Sequence, residues 1–324
     1  MFKKMIMALA AIAFLGTGCA TATESEGAET GKALPKVYYI KDVTPENLVK
    51  AYEALGVKPT GKVGIKISTG ESEKSNHLRP ELIAPLVKEI GGNFIECNTA
   101  YAGNRLTTEE HREAIKKRGY LEIADVDIMD ADGDAELPLT GGFHLKKDIV
   151  GKHFLDYDYI VVLSHFKGHA MGGFGGALKN LSIGIGSTNG KTYIHSAGAS
   201  EKMDGNKHFH TDQDDFLESM ADASKAVIDH MNGNMLYINV ANRLSVDCDC
   251  NGDPSTICMD DLGIFVSMDP VAVDRACVDA VRNSNDHGKE HMIERIDSRH
   301  GMHTLEAAEQ LGLGSQTYEL IEIK

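Results

Sequence analysis

Residues Tyr159–Asn180 read YIVVLSHFKGHAMGGFGGALKN. The segment Tyr159–Leu163 is apolar on both faces, which is typical of a central strand in a sheet covered by helices. Histidines, lysines and closely spaced glycines follow at the carboxyl end of this strand, where α/β sheets bind their ligands. Glycines at this density let backbone amides approach a ligand closely. The stretch therefore predicts a central strand with a binding site beside it, although the same glycines would also suit a tight strand-to-helix turn.

Strand-like and helix-like segments alternate along the rest of the chain, with short polar links between them. We predict an α/β fold with a mixed, mostly parallel sheet that helices cover on both faces, built as one unit or as two lobes. The predicted strands are Val37–Ile40, Lys62–Ile67, Asn93–Cys97, Tyr159–Leu163, Met235–Val240, Gly263–Ser267 and Tyr318–Ile323. The predicted helices are Pro45–Leu55, Arg79–Ile90, Thr108–Arg118, Asp214–Met231 and Pro270–Arg282, with two short ones after them.

The N-terminus has the features of a signal peptide. Lys3 and Lys4 precede an apolar run, Met5–Leu15, and small residues follow it. Two processing sites fit this pattern, lipidation of Cys19 and cleavage after Ala20-Thr21-Ala22, and the sequence favours Cys19.

Three regions are therefore expected along the chain. Residues 1–19 are predicted to be a signal peptide with a lipobox, residues 20–35 a flexible tether, and residues 36–324 a single α/β domain. The expected location is the cell envelope, in the periplasm or at the outer membrane, with the protein peripheral to the membrane through a lipid on Cys19. The alternative is a soluble periplasmic or secreted protein.

The composition excludes several kinds of partner. The net charge is −15, which argues against nucleic acid and anionic lipid. The chain has no tryptophan and is 6% aromatic, so a stacking platform for bases or sugars is not expected.

Four ionisable side chains lie around the glycine-rich stretch. His165, His169, Lys179 and His195 fall within thirty-one residues of one another. Imidazoles and an amine are suited to metal ligation and to acid–base chemistry near neutral pH. A lone histidine is more often structural, but this grouping favours a functional site. The segment lacks the G-x-x-x-x-G-K-[ST] pattern of a phosphate-binding loop.

The cysteines leave three interpretations open. No C-x-x-C occurs, which excludes a thioredoxin-like motif. Cys248-Asp249-Cys250 and the nearby Cys258 could bind a soft metal such as zinc or copper(I), form a disulfide, or remain inert thiols.

Several of these motifs carry a family resemblance. The segments concerned are His165–His169 (HFKGH), Gly173–Asn180 (GFGGALKN), Cys248–Cys250 (CDC) and Asp269–Asp274 (DPVAVD). Together they resemble family 362 of the domains of unknown function, over nearly the whole mature chain. Many members carry ferredoxin cysteines after the second histidine segment. This chain has none, so no iron–sulfur cluster is expected.

A more remote similarity points to nickel-pincer enzymes of the lactate racemase type. His169, Lys179 and His195 are separated by ten and sixteen residues, as in that group's motif. The resemblance implies that Lys179 anchors a pincer cofactor and that His195 binds nickel. Because the chain has no twin arginine, export in an unfolded state would strip a cofactor loaded in the cytoplasm.

Two upstream segments extend this similarity and also limit it. Arg79 in His77–Pro80 (HLRP) resembles the group's substrate-binding Arg-Pro motif and would clamp a carboxylate. Gly103-Asn104-Arg105 resembles its G-x-H-R motif, with Asn104 in place of the first catalytic histidine. Racemisation is not expected, because an amide side chain cannot exchange protons near neutral pH.

These observations predict a metal- or cofactor-dependent enzyme, isomerase- or oxidoreductase-like, that acts on a small carboxylate. The alternative is a non-catalytic envelope protein that binds a metal or a small anion. The expected metal is nickel or zinc. The predicted roles are catalytic for His169 (as general base), Lys179 and Asn104, substrate-binding for Arg79, Arg105, Gly173, Gly175 and Gly176, metal-ligating for His195 and His165, and secondary metal- or disulfide-forming for Cys248, Cys250 and Cys258.

Overall fold

The computed structural model of the protein describes residues 33–203, 211–251 and 257–324. The predicted signal peptide, Cys19 and most of the predicted tether lie outside these residues. The described part of Leu34–Lys324 forms one compact unit rather than two lobes. No helix in these described ranges is both long enough and apolar enough to cross a bilayer.

The described chain builds one large sheet, two small two-stranded sheets and the helices that pack on them. The strands are β1 (Lys36–Ile40), β2 (Val63–Lys66), β3 (Asn93–Glu96), β4 (Val126–Ile128), β5 (Asp134–Pro138), β6 (Lys147–Gly151), β7 (Tyr159–His165), β8 (Lys167–His169), β9 (Gly173–Gly175), β10 (Met235–Ala241), β11 (Gly263–Ser267) and β12 (Glu319–Glu322). The α-helices are α1 (Pro45–Glu53), α2 (Pro80–Ile90), α3 (Thr108–Lys117), α4 (Ala177–Ile185), α5 (Thr188–His195), α6 (Gln213–Met231), α7 (Pro270–Asn283), α8 (Lys289–Ser298) and α9 (His303–Gln310).

The large sheet has the strand order β12-β1-β11-β10-β7-β2-β3-β4. Strand β11 runs antiparallel to β1 and β10, and the other pairings are parallel. Strand β7 lies between β10 and β2, and all seven of its residues are buried. The predicted mixed, mostly parallel sheet with Tyr159–Leu163 at its centre is therefore confirmed.

Helices cover both faces of this sheet. Ile160 and Val162 of β7 belong to the core that contains residues of α4, α6 and α7. Val161 and Leu163 belong to the core that contains residues of α1, α2 and α3. Because side chains alternate along a strand, an uninterrupted apolar run supplies both cores at once.

Helices α1 and α7 begin at capping residues that can be recognised in the sequence. The Thr44 hydroxyl accepts a hydrogen bond from the Asn47 amide at 3.1 Å, and Pro45 occupies the first turn of α1. At the start of α7, the carboxylate of Asp269 accepts a hydrogen bond from the Ala272 amide at 2.8 Å. The predicted strands and helices listed above agree with the observed bounds to within two residues.

The glycine-rich segment forms several elements and not only a tight strand-to-helix turn. It forms the β8–β9 hairpin and then α4 and α5. Gly173 has a φ of 77°, and a Cβ there would lie 2.9 Å from Cα of Gly301. Gly173 thus allows the hairpin to pack closely against the turn between α8 and α9.

A buried carboxylate fixes the start of α4. Asp274 on α7 accepts hydrogen bonds from the Ala177 amide at 2.6 Å, the Leu178 amide at 2.9 Å and Asn239 Nδ2 at 2.7 Å. The carboxylate therefore satisfies the free amides of the α4 N-terminus and joins α4 to α7 and β10.

We predict that Asp274→Ala lowers the free energy of unfolding by about 3 kcal/mol or more, because it leaves three buried donors without an acceptor. Urea unfolding followed by circular dichroism measures this. The matched control is Asp229→Ala, whose half-exposed carboxylate pairs with Lys225, and it should cost less than about 1 kcal/mol. Equal losses in the two variants would contradict the role given to Asp274.

Candidate functional site

A cavity of about 600 Å³ opens at the carboxyl ends of the parallel strands. Lys66 ends β2, Glu96 ends β3 and His165 ends β7, and all three line the cavity. The hairpin and α4 contribute Gly175 and Lys179 to the same wall. The end of the sheet and the glycine-rich segment thus form one site.

Most of the residues singled out from the sequence meet in this cavity. Those that line it are His165, His169, Lys179, His195, Arg105, Gly175, Gly176, Cys248 and Cys250. Those that are not among its described lining residues are Arg79, Asn104, Gly173 and Cys258.

Arg79 and Asn104 lie on other surfaces. The Arg79 guanidinium contacts His77 Nε2 at 2.9 Å and the Glu73 carbonyl at 3.4 Å, beside a separate surface pocket. Asn104 is exposed, and its side-chain amide donates to the Glu71 carbonyl at 3.3 Å. The roles predicted for Arg79 and Asn104 at a substrate stay predictions and are not used below.

Three further lysines, which the sequence motifs do not assign to the site, also line the cavity. They are Lys66, Lys167 and Lys191. Lys66 offered a signal, because a lysine inside an apolar strand is rarely buried without a reason. Its side chain is 2% exposed, and its Nζ donates to the Ile67 carbonyl at 2.5 Å and to Asn180 Oδ1 at 3.0 Å. Burial lowers the pKa of Lys66 to about 8.

Lys167 and Lys191 are also held by the protein. Lys167 Nζ donates to the His165 carbonyl at 2.8 Å and lies 3.0 Å from Asp249 Oδ2. Lys191 Nζ donates to the Gly186 carbonyl at 2.5 Å. Their ammonium groups are thus anchored in fixed positions on the cavity wall.

Lys179 differs from the other three lysines. Its amine has no hydrogen bond or ion pair with any residue in the described part of the chain. Burial, and then the positive charge of Lys167, lower the pKa of Lys179 to about 7. A Cβ at Gly175 would lie 3.4 Å from Lys179 Cδ and 3.7 Å from Lys167 Cε, so the two side chains run close together past this glycine. A large share of Lys179 is therefore the neutral amine at neutral pH, which is the form that acts as a base or nucleophile.

His165 is fully engaged by protein groups. Its Nδ1 lies 3.0 Å from the Asp249 carboxylate and its Nε2 lies 2.6 Å from the Asn242 carbonyl. Burial alone would raise the pKa of Asp249, but the charges of His165 and Lys167 lower it below its ordinary value. Since both ring nitrogens are engaged, His165 offers no lone pair to a metal in this arrangement.

His169 is buried in a defined tautomer. Its Nδ1 accepts hydrogen bonds from the amides of Met171 at 3.2 Å and Gly172 at 2.9 Å, which places the ring proton on Nε2. Burial, and then the charges of Lys179 and Lys167, lower the pKa of His169 well below its ordinary value. His169 is therefore a neutral hydrogen-bond donor through Nε2. The general-base role predicted for it does not fit this tautomer, because Nδ1 already accepts two hydrogen bonds and Nε2 carries the proton.

His195 ends α5 and also lines the cavity. Its Nδ1 lies 2.6 Å from the Lys191 carbonyl, and its ring stacks on Phe216 with centroids 5.0 Å apart. The two contacts hold the imidazole in place.

Cys248 and Cys250 form a disulfide in the cavity wall. One donor atom from each of these cysteines and one from His169 lie within 4.8 Å of one another. Cys258 is a free, half-buried thiol, and Cys97 and Cys277 are buried free thiols. The bonded sulfurs correspond to the disulfide interpretation, and metal binding by the same cysteines stays a prediction.

Arg105 is buried between two carboxylates. Its Nε lies 3.0 Å from Glu71 Oε2 and its Nη1 lies 3.7 Å from Glu96 Oε1, while its Nη2 donates to the Tyr101 hydroxyl at 2.9 Å. Such pairing fixes a planar guanidinium at the cavity wall.

These features define a class of protein, an α/β protein with a central, mostly parallel sheet and a lysine-lined cavity at the carboxyl ends of its strands. The chain belongs to the family described as Domain of unknown function (DUF362), whose sequence profile matches residues 63–279. The family resemblance of the sequence motifs is confirmed. No curated protein matches the chain.

Two solved structures are similar to the chain. One is the lactate racemase apoprotein from Thermoanaerobacterium thermosaccharolyticum, at 17% identity and a TM-score of 0.36, covering 64% of this chain and 50% of that one. The other is a protein from Thermotoga maritima, at 13% identity and a TM-score of 0.42, covering 84% of this chain and 61% of that one. The chain therefore spans 50% and 61% of the lengths of these proteins. Neither likeness identifies a reaction for this chain.

We predict that Lys179 is the amine most reactive at pH 7 towards a limiting amount of acetic anhydride. A pKa of about 7 in place of 10.5 increases the neutral amine fraction on the order of 10³-fold. Peptide mass mapping after brief labelling measures this, with the exposed Lys50 as the internal reference. Faster labelling of Lys50 than of Lys179 would show that the amine is protonated or inaccessible.

Proposed function

We propose that this protein is an enzyme that binds a small carboxylate in the lysine-lined cavity and uses the amine of Lys179 in its chemistry. The observation that carries the proposal is that amine. It lines a cavity, has a lowered pKa, and has no partner among the described residues. Groups with these properties are typical of catalytic bases and nucleophiles.

The charge of the cavity supports an anionic substrate. Besides Lys179, the described residues that line it include four lysine and arginine side chains, Lys66, Arg105, Lys167 and Lys191, against the carboxylates of Glu96 and Asp249. Both carboxylates are already in ion pairs, Glu96 with Arg105 and Asp249 with Lys167. The excess of positive charge contrasts with the net charge of −15 for the chain, and a bound carboxylate would balance it. A volume of about 600 Å³ suits a small molecule.

The side chains around Lys179 support proton transfer. The neutral amine would accept a proton from a carbon next to the bound carboxylate. His169 carries its proton on Nε2 and would donate a hydrogen bond to a substrate oxygen on which charge develops. Lys66, Lys167 and Arg105, which the protein holds in place, would bind the carboxylate.

A cofactor of the kind implied by the sequence similarity fits part of this donor set. Lys179 fits as a point of covalent attachment, because its amine is partly neutral and faces a cavity. His165 does not fit as a metal ligand, because the Asp249 carboxylate and the Asn242 carbonyl engage its ring nitrogens. A group attached at Lys179 would supply electron-accepting chemistry beside the bound carboxylate, and Lys179 would then hold that group in place of acting as the base.

The compartment is part of the proposal. We propose that the protein is exported and attached to the cell envelope through Cys19, on the basis of the N-terminal sequence. A disulfide between Cys248 and Cys250 supports an oxidising compartment.

We predict that oxalate binds at pH 6 and that its affinity falls by roughly 10-fold or more by pH 9. The sign follows from the lysines, because they carry the charge that binds an anion below their pKa and lose it above. The pKa values of Lys179 and Lys66 are about 7 and about 8, so the loss lies between pH 6 and 9. Isothermal titration calorimetry measures the affinity.

Lys179→Met should weaken oxalate binding, whereas Lys225→Met on the surface of α6 should not change it. An affinity that does not depend on pH, or an equal effect of both substitutions, would contradict the proposed binding mode.

We further predict that the protein exchanges the α-proton of a small 2-hydroxycarboxylate with solvent, and that Lys179→Met abolishes this exchange. Nuclear magnetic resonance in deuterium oxide, with lactate and malate as probes, measures the reaction. Tight binding without exchange or conversion of any probe would favour the alternative, a non-catalytic binding protein.

A further inference from the structure

A histidine and two carboxylates lie close together outside the cavity lining, where the loop between β5 and β6 meets α6 and α9. His144 Nε2 lies 2.5 Å from Glu218 Oε2 and 3.6 Å from Asp215 Oδ1. Donor atoms of the three residues lie within 4.8 Å of one another. We propose that His144, Asp215 and Glu218 bind one divalent transition-metal ion, for which zinc is the best chemical match.

A buried carboxylate fixes the backbone of the loop that carries His144. Asp222 is fully buried on α6, one turn beyond Glu218, and its carboxylate accepts hydrogen bonds from the amides of Phe143, His144 and Leu145, each at 2.8 Å. These hydrogen bonds therefore fix the backbone of the loop against α6 at His144, the residue that supplies the imidazole. Asp215 and Glu218 are three residues apart on α6 and so face the same side.

His303 at the start of α9 positions Glu218. Its Nε2 lies 2.9 Å from Glu218 Oε1, the oxygen that does not face His144, and its Nδ1 lies 3.2 Å from Glu306 Oε2. Carboxylates that ligate metals are commonly oriented by such a second hydrogen bond. His303 is therefore a positioning residue for the proposed ligand.

The donor set selects a class of metal. One imidazole nitrogen and two carboxylate oxygens are normal zinc ligands, whereas calcium and magnesium prefer oxygen ligands alone. Neighbouring ligands of tetrahedral zinc lie about 3.3 Å apart, close to the 3.6 Å between His144 and Asp215. The distance of 2.5 Å between His144 Nε2 and Glu218 Oε2 would widen by about 0.8 Å when a metal ion replaces the hydrogen bond between them. The side chains of His144, Asp215 and Glu218 are 25%, 41% and 21% exposed, which leaves room for water as a further ligand.

The test is zinc titration of the full chain, stripped of metal with a chelator, purified without a histidine tag and kept free of thiol reductants so that the disulfide stays closed. We expect the wild type to bind one more equivalent of zinc than either His144→Gln or Glu218→Gln. His303→Gln should keep the site but weaken it by roughly 10- to 100-fold. An excess of magnesium should not displace the ion.

His300→Gln is the matched control, because this histidine pairs with Asp214 on the same surface and is 63% exposed. It should bind zinc like the wild type, and circular dichroism checks that each variant is folded. His144 lies in a loop, so its substitution keeps the test valid even if Glu218→Gln fails to fold. Equal zinc stoichiometry in the wild type and His144→Gln would overturn the proposal and leave these residues as ion pairs that join the loop, α6 and α9.

Discussion

The carboxylate of Asp249 is the counter-charge that lets His165 and Lys167 be buried at the end of the central strand. Removing a charged group from water is costly unless a partner of opposite charge compensates. Asp249 is 2% exposed, and it meets His165 Nδ1 and Lys167 Nζ at 3.0 Å each. Its own position is fixed by the Cys248–Cys250 disulfide on either side of it and by its carbonyl, which accepts from the Glu71 amide at 2.8 Å. The segment after β10 thus stabilises the end of β7, and the cavity between them depends on this contact.

Lys66 and Lys167 are anchored, and their charges act on Lys179, whose amine has no partner among the described residues. Lys179 is carried by α4, whose start is held by Asp274, so the amine is directed into the cavity by a rigid element. Burial and the neighbouring ammonium of Lys167 both disfavour a further positive charge, and both lower the pKa of Lys179. The same lysines that would attract a carboxylate therefore keep a reactive amine beside it.

Many strands and helices of this fold can be predicted from the local sequence. The alternation of segments and caps such as Thr44 and Asp269 predict strands and helices, because these signals depend on neighbours in the chain. The place of the site was also predictable, since β7 runs directly into the glycine-rich segment. Side-chain partners were not predictable, because they depend on how distant segments meet. Arg79 and Asn104 match motifs yet lie on other surfaces, whereas Lys66 lines the cavity although no motif marks it.

The negative net charge of the chain and the positive charge of the cavity would act differently on large and on small anionic ligands. At physiological ionic strength charges are screened beyond about 8 Å, so the lysines act mainly on a molecule that has already reached the cavity. A large polyanion would meet the acidic surface along most of its length, and the net charge of −15 opposes its approach. A small carboxylate carries little charge past that surface and then meets several fixed cations within a volume of about 600 Å³. The proposed preference for small anions over nucleic acids and other polyanions would therefore depend on the size of the ligand as well as on the sign of its charge.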